Sequence, residues 1–491
     1  MNYRLLSRLL SLILLALAAA FGISLGGGLL EGGFEQERRA IPGFAWSIGI
    51  TLVAALALAI AGRGASKTLF RKEALALIGL GWLLASLLGA LPYLFILPNC
   101  TLADAIFESA SGLTTTGASV FTGFEDWSRS LLFWRCMSQW IGGLGVVVFF
   151  VAILSSLGAS GKILFTNENS GTSGEIDTGR VQSGALRLMA LYLSLSAATG
   201  LALYFAGMSI YDATCHTFSA ISTGGFSTRS LSIEAFASPV IEWILIAVMA
   251  IGATSFLWLL RAIDRDWAEV RQNSEVTVFY LVCLAATLFI ATGLATHGLT
   301  QGIEPTIRTA AFQVVSIIST TGYSSTDFGF WHLPAEAVLL GLMVLGGCSG
   351  STAGGTKIIR AVIAFRLIIN NIEQAFRAHV VRPIRANGRI VNQQAQTNVA
   401  TYIVLNAALV CFGILILATL EPEMDLLSTI SAILSSLFNI GPGFGMVGPA
   451  ENYGFMSAPA KLLCTLLMIL GRLELYAILV LFAPSLWKRF S

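Results

Sequence analysis

Residues 109–121, SASGLTTTGASVF, set three consecutive threonines among serines and glycines, between apolar stretches long enough to cross a bilayer. Small hydroxylated residues and glycine are a poor choice for a lipid-facing helix. They suit backbone that leaves the helical path at membrane depth, where protein or a water-filled cavity satisfies its N–H and C=O groups. Related stretches return three times, as SAISTGGFS (219–227), SIISTTGYS (316–324) and SLFNIGPGF (436–444).

The surrounding chain sets the class. Of 491 residues, 55% are hydrophobic and 11% charged, whereas a soluble domain carries roughly 25% charged residues. The charges for a polar surface are missing, and long apolar stretches recur, so the expected class is an all-α polytopic membrane protein. The net charge of +2 gives no sign of nucleic-acid binding. Seven cysteines (Cys100, Cys136, Cys215, Cys283, Cys348, Cys411, Cys464) lack CxxC or His-paired spacing and read as small core residues. The N-terminal MNYRLLSRLLSLILLALAAAFG (1–22) has the basic start and Ala-rich end of a signal peptide. Its apolar run exceeds the roughly 7–15 residues of an h-region, which favours a retained helix over a cleaved one.

Apolar length gives ten candidate spans, at about 5–30, 44–62, 73–97, 130–157, 185–207, 238–261, 275–297, 335–360 (continuing with polar interruptions to about 378), 397–420 and 459–487. Shorter apolar pieces near 104–116, 212–223, 305–321 and 427–440 are too short to cross. From residue 73 onward the order is long, short, long, four times over. With both termini cytoplasmic, most Lys and Arg fall in cytoplasmic segments, including Arg63, Lys67, Arg71, Lys72, Arg261, Arg265, Arg271 and the basic group in 357–389. That orientation obeys the positive-inside rule. Most acids fall on the outer side, among them Glu31, Asp104, Glu125, Asp126, Asp212, Asp327, Glu421 and Asp425. They either concentrate cations at a mouth or simply keep loops wet.

Anchored on Gly117, Gly224, Gly322 and Gly441, the short segments recur roughly every 100 residues, which is the mark of internal duplication. The expected organisation is two N-terminal helices (1–68) followed by units 69–160, 161–268, 269–392 and 393–491. Four re-entrant half-helices, each leading into a Thr–Gly strand, can present rings of carbonyl oxygen that replace a cation's hydration shell. Glycine permits the close approach, and Ser and Thr hydroxyls hold the strands locally. The candidate ion-binding residues are Thr115, Thr116 and Gly117; Ser222, Thr223 and Gly224; Thr320, Thr321 and Gly322; and Asn439, Ile440 and Gly441. Small-residue helix packing explains one such copy; it explains four less well.

STGGFST (222–228), STTGYSS (319–325), NIGPGFG (439–445) and GRLELYAILVLFAP (471–484) resemble the Trk/Ktr/HKT superfamily of potassium transporters, and the resemblance covers essentially the whole chain. The extra N-terminal helices and the GRLE stretch bring it nearest to the bacterial Trk-type uptake proteins. The resemblance implies four membrane–pore-loop–membrane repeats around a central pore, plus two extra N-terminal transmembrane helices. It implies one filter glycine per repeat, matched to Gly117, Gly224, Gly322 and Gly441. Members with Ser at the first of these favour sodium, so Gly there implies potassium as the bound and transported ion. Also implied are a homodimer in the cell inner membrane and a cytosolic nucleotide-binding regulatory partner of the TrkA type, with no organic cofactor in this chain. Most of the 157–187 loop matches nothing in the family pattern.

LGGCSGSTAGGTKIIR (345–360) interrupts the second long span of the third unit. Each Gly costs ~1 kcal/mol in a helix interior, so the span is predicted to break near mid-membrane. The resemblance implies an intramembrane loop at 346–355 that obstructs the pore below the filter, with Gly346, Gly347, Ser349, Gly350, Gly354 and Gly355 as gating candidates. A Walker A loop is excluded, because Lys357 follows Thr356 where that motif needs Gly. The GCSG around Ser349 also resembles an intramembrane serine protease, which needs a nearby histidine; His216, His297, His332 and His379 all lie in short segments or at span ends. A plain helix–helix contact is a third reading.

Arg472 lies deep in the last apolar span, where a cation must face protein or water. The resemblance places it facing the pore beneath the filter. A potassium ion ~4 Å from it is disfavoured by ~4 kcal/mol at an effective dielectric of ~20. The alternative is a structural Arg472 bound to backbone carbonyls. Arg135 is predicted to snorkel to the interface. The functional expectation is channel-like potassium uptake without enzymatic activity. A symporter coupled to sodium or protons stands as the alternative, and the protease as a remote one.

Overall fold

The computed structural model describes residues 1–65, 71–156, 178–377 and 382–487. Helix is the main element, and one antiparallel hairpin, Arg385–Ala386 with Arg389–Ile390, interrupts it. Six described helices are long and apolar enough to cross a membrane: Tyr3–Glu37, Ala40–Ala61, Lys72–Ile96, Gly184–Phe205, Ser274–Thr296 and Gln393–Leu420. Arg129–Ser156 is a further long helix, of 28 residues. Their outward faces carry exposed Leu281, Leu284, Phe289, Phe412 and Leu415. Such a surface has no favourable contact with water and is at home in lipid. The chain is an all-α polytopic membrane protein. Residues 157–177, most of the loop that matched nothing in the family pattern, lie outside the described residues.

The N-terminal helix pair packs on the first unit. Phe21 meets Trp134 edge-on at 4.6 Å and Phe44 at 6.3 Å. The buried Glu37 carboxylate accepts the backbone N–H groups of Arg129 (2.6 Å) and Ser130 (3.3 Å). It thereby caps the start of helix Arg129–Ser156 from another part of the chain, satisfying donors that have no partner within the helix.

Four short helices follow the repeat pattern: Leu102–Leu113, Ile210–Ile221, Ile303–Ile318 and Leu426–Phe438. Acids predicted at a mouth are engaged at their starts. Asp104 closes a capping box with Thr101 and binds Lys461 at 2.7 Å. Asp212 binds Ser209, Thr228 and Arg229, and Asp425 caps Leu427 and Ser428. These carboxylates stabilise helix starts, a third role beside the two expected.

Three of the ten predicted spans are broken. Residues 238–261 form Pro239–Ala253 and Phe256–Ile263, bent by 100°, where Gly252, Thr254 and Ser255 are weak helix formers. The 335–360 span stops at Val344 and resumes at Ile358. The 459–487 span stops at Arg472, because Glu474 (φ 52°) and Leu475 (φ 66°) both turn left-handed. Glu474 is held there by an ion pair with Arg360.

Arg135 does not snorkel. It is 3% exposed, binds Glu108 at 2.7 Å and donates to Ser227 O at 3.0 Å. Phe226 and Phe124 cover its guanidinium at 3.5 and 4.2 Å. An ion pair, a carbonyl and two ring faces together make burial cheaper than reaching for the interface.

Candidate functional site

Each short helix ends in the same turn. Thr115, Thr223, Thr320 and Asn439 have φ between 52° and 57°, and two residues later Gly117, Gly225, Gly322 and Gly441 have φ between 78° and 109°. The second unit therefore corrects the expected register: Gly225, not Gly224, is the equivalent of the other three glycines. Gly224 takes the place of Thr116 and Thr321, and Ser222 falls back to the place of Thr114. The cause is steric, since only glycine holds the later left-handed position without a Cβ penalty. A signal for the right register stands in the sequence. Ser111, Ser219, Ser316 and Ser435 each precede their glycine by the same interval, and their carbonyls accept from Thr116, Gly224, Thr321 and Ile440 at 2.7–3.0 Å.

The four strands close on one another. A Cβ added to Gly117 would lie 2.2 Å from Gly224 O, and one on Gly225 would lie 1.9 Å from Thr321 O. On Gly322 it would meet Ile440 O at 2.0 Å, and on Gly441 it would meet Thr116 O at 2.8 Å. First touches second, second touches third, third touches fourth, and fourth returns to first. Backbones at that separation exclude any side chain.

Three strands are clamped by their own serine. The hydroxyls of Ser111, Ser316 and Ser435 donate to Ala118 O, Tyr323 O and Gly441 O, each at 2.6 Å. The second strand is held instead by Gln139 of helix Arg129–Ser156, which donates to Gly224 O (2.6 Å) and accepts from Phe226 N (3.0 Å). In the fourth strand, Asn439 supplies a residue type that tolerates the left-handed turn. Its amide donates to Thr116 Oγ1 (2.9 Å) and Met468 O (2.8 Å). Gln139, Arg135 and Glu108 were not foreseen as parts of the site. Their buried polarity in an apolar helix context was the available signal.

The loop 345–357 presses against the short-helix end of this ring. Thr352 Oγ1 donates to Ile221 O (3.0 Å), and Gly354 N donates to Thr320 Oγ1 (2.7 Å). Cys348 N reaches Ala253 O at 2.7 Å, at the break in the second unit. Gly346 N bonds Thr356 O at 2.9 Å, which draws the loop's two ends together, and Gly355 packs against Gly346. Gly347 O accepts from Ile358 N, and Gly350 O from Phe256 N. Ser349 N donates to Glu275 Oε1 at 2.6 Å. Arg472, 5% exposed, donates through Nη1 to Thr352 O at 2.7 Å. The structure thus joins the two groups of gating candidates in one contact. Among the described residues no hydrogen bond links Ser349 to a histidine. His216 is bound to Asp212 O and Ser227 Oγ, and His297 stacks on His332 at 4.7 Å; His379 lies outside the described residues.

Comparisons with known proteins agree with this architecture. The TrkH family model, described as cation transport protein, matches residues 50–277 and 273–489. The Trk system potassium uptake protein TrkH of Salmonella typhimurium is 34% identical, over 85% of this chain and 86% of its own. That of Halomonas elongata is 33% identical, over 91% and 92%. The crystal structure of the potassium transporter TrkH from Vibrio parahaemolyticus superposes with a TM-score of 0.88 at 29% identity, covering 99% of this chain and all of that one. With a ring of four glycine-anchored strands, a broken third unit pressed against it, and these matches along nearly its whole length, the chain belongs to the TrkH family of cation transport proteins.

Proposed function

We propose that this chain takes up potassium through the four-strand ring, passively, and that loop 346–355 together with Arg472 closes the path on the cytoplasmic side. The carrying observation is the closed cycle of glycine-to-carbonyl contacts at Gly117, Gly225, Gly322 and Gly441. The oxygens at the ring belong to carbonyls and hydroxyls, uncharged donors that can replace water around a monovalent cation without trapping it. The names of the relatives supply potassium as the ion. The loop's bonds to Ile221, Thr320 and Arg472 support an obstruction next to the ring, and a positive charge there raises the barrier to a cation. The positive-inside rule supports cytoplasmic termini, and the resemblance supports an inner-membrane homodimer with a TrkA-type nucleotide-binding regulator.

The experiment is flux into liposomes holding the purified protein alone. Potassium flux that follows its own gradient, and rises when the loop is shortened, supports the reading. A strict requirement for sodium or a proton gradient would replace it with a symporter.

A further inference from the structure

Glu275 is a buried carboxylate, 2% exposed, that the ring does not use. It lies in the first turn of helix Ser274–Thr296, where the helix dipole favours a negative charge. No salt bridge holds it among the described residues. Its Oε1 instead accepts two backbone N–H groups from the two flanks of one excursion: Ser349 (2.6 Å) inside the loop and Ile359 (3.2 Å) at the start of helix Ile358–Phe376. One oxygen thus fixes both the way into the loop and the way out of it.

The same short stretch is gripped from the other direction by the hairpin 385–390. Asn387 and Gly388 form its turn with φ of 50° and 76°, the Asn–Gly pairing that a tight hairpin favours. The Asn387 side-chain oxygen accepts from Glu275 N (3.1 Å) and from Ser274 Oγ (3.3 Å), and Asn387 N donates to Ser274 Oγ (3.2 Å). Arg389 anchors the hairpin further to Glu269 at 3.3 Å. Ile384, Ala386 and Val391 pack with Ile363 of the helix that leaves the loop. Arg385 and Ile390 meanwhile face outward, exposed.

We infer that Glu275 is a latch for loop 346–357, and that the hairpin 385–390 sets its position through Asn387. This rests on the reading of the loop as a gate. Moving the hairpin shifts Asn387, Asn387 shifts the first turn of Ser274–Thr296, and the carboxylate leaves Ser349 and Ile359. Those two half-buried N–H groups then lose their charged acceptor, so the loop is held less firmly in place. The latch is a positioning residue that touches no ion.

Hydrogen exchange of the purified full-length protein, measured over 345–360 beside liposome flux, tests this directly. Glu275→Ala should speed exchange of that segment at least tenfold, as expected when hydrogen bonds to a charged acceptor are lost, while exchange at the ring serines stays as in the parent. Glu275→Gln keeps an acceptor oxygen and should restore most of the protection. Asn387→Gly keeps the left-handed turn while removing the side chain, and should speed loop exchange severalfold. The double variant Glu275→Ala with Asn387→Gly should go no further than Glu275→Ala alone. Unchanged loop exchange in folded Glu275→Ala and Asn387→Gly, or strictly additive effects in the double variant, overturns the latch. Faster exchange with flat potassium flux keeps the latch and overturns the loop's role as a gate.

Discussion

At Gly117, Gly225, Gly322 and Gly441 the chain makes one turn four times, with φ between 78° and 109°. The helices that close the same four units diverge. Arg129–Ser156 continues unbroken; the second bends by 100° after Ala253; the third opens into thirteen residues between Val344 and Ile358; the fourth ends at Arg472. The turn itself depends on interactions within a few residues of each glycine, so duplication preserves it in every copy, even where Gln139 replaces the serine clamp in the second. What lies against it is built once, from residues without counterparts in the other units: the 345–357 loop, Glu275 and Arg472. On the proposed function, selection among ions would belong to the shared part and opening to the unshared part.

The sharpest way to break that division is in the second strand. Gly225→Ser puts a side chain on a left-handed residue facing Thr321 O, and should lower potassium-over-sodium preference at least tenfold in a protein that still inserts. Gly224→Ala first meets the Gln139 side chain, which can shift where a backbone carbonyl cannot, and should cost less. Equal effects, read from competing ion fluxes, would return the anchor to Gly224. Next, removing 348–353 should raise basal flux about tenfold while ion preference stays as it was, because the ring is untouched. A change in preference would merge the two regions into one.

Arg472→Gln should act in the same direction but more weakly, raising basal flux severalfold, since it loses the charge and weakens the bond to Thr352 O. Lower flux in a folded variant would make Arg472 a structural residue. The smallest expected effects distinguish the strands from each other. Ser111→Ala, Ser316→Ala and Ser435→Ala each remove a clamp and should cost about 1 kcal/mol of thermal stability. Ser219→Ala should cost close to nothing, because Gln139 already holds that strand.

The sequence made the ring legible because its determinants are local. Thr, Asn and Gly at fixed intervals after a short apolar helix are enough to place four turns. The error in the second unit arose where two glycines adjoin, and the interval from Ser219 decides between them. The break at 345–357 could likewise be foreseen, from glycine's cost in a helix. The end of the last helix at Arg472 could not, since Leu473 and Leu475 are sound helix formers and the turn depends on a distant partner, Arg360. Arg135 was misplaced for the same reason. Its fate was decided by Glu108 and Ser227, far off along the chain and near only after folding.

The bond from Asn439 to Thr116 bears on how the protein is made. Asn439 reaches Thr116 across 323 positions of sequence, so the cycle of strands cannot be completed until the final unit has left the ribosome. During synthesis the first three units must wait in the bilayer as an open arc, with the edges of strands one and three unpaired. Long-range closure of this kind is slow and exposes intermediates to misassembly. Nascent chains halted before residue 426 should therefore insert their early helices yet remain far more sensitive to protease around 117–123 than the finished protein. Equal resistance before and after the fourth unit emerges would show that the first strand matures on its own.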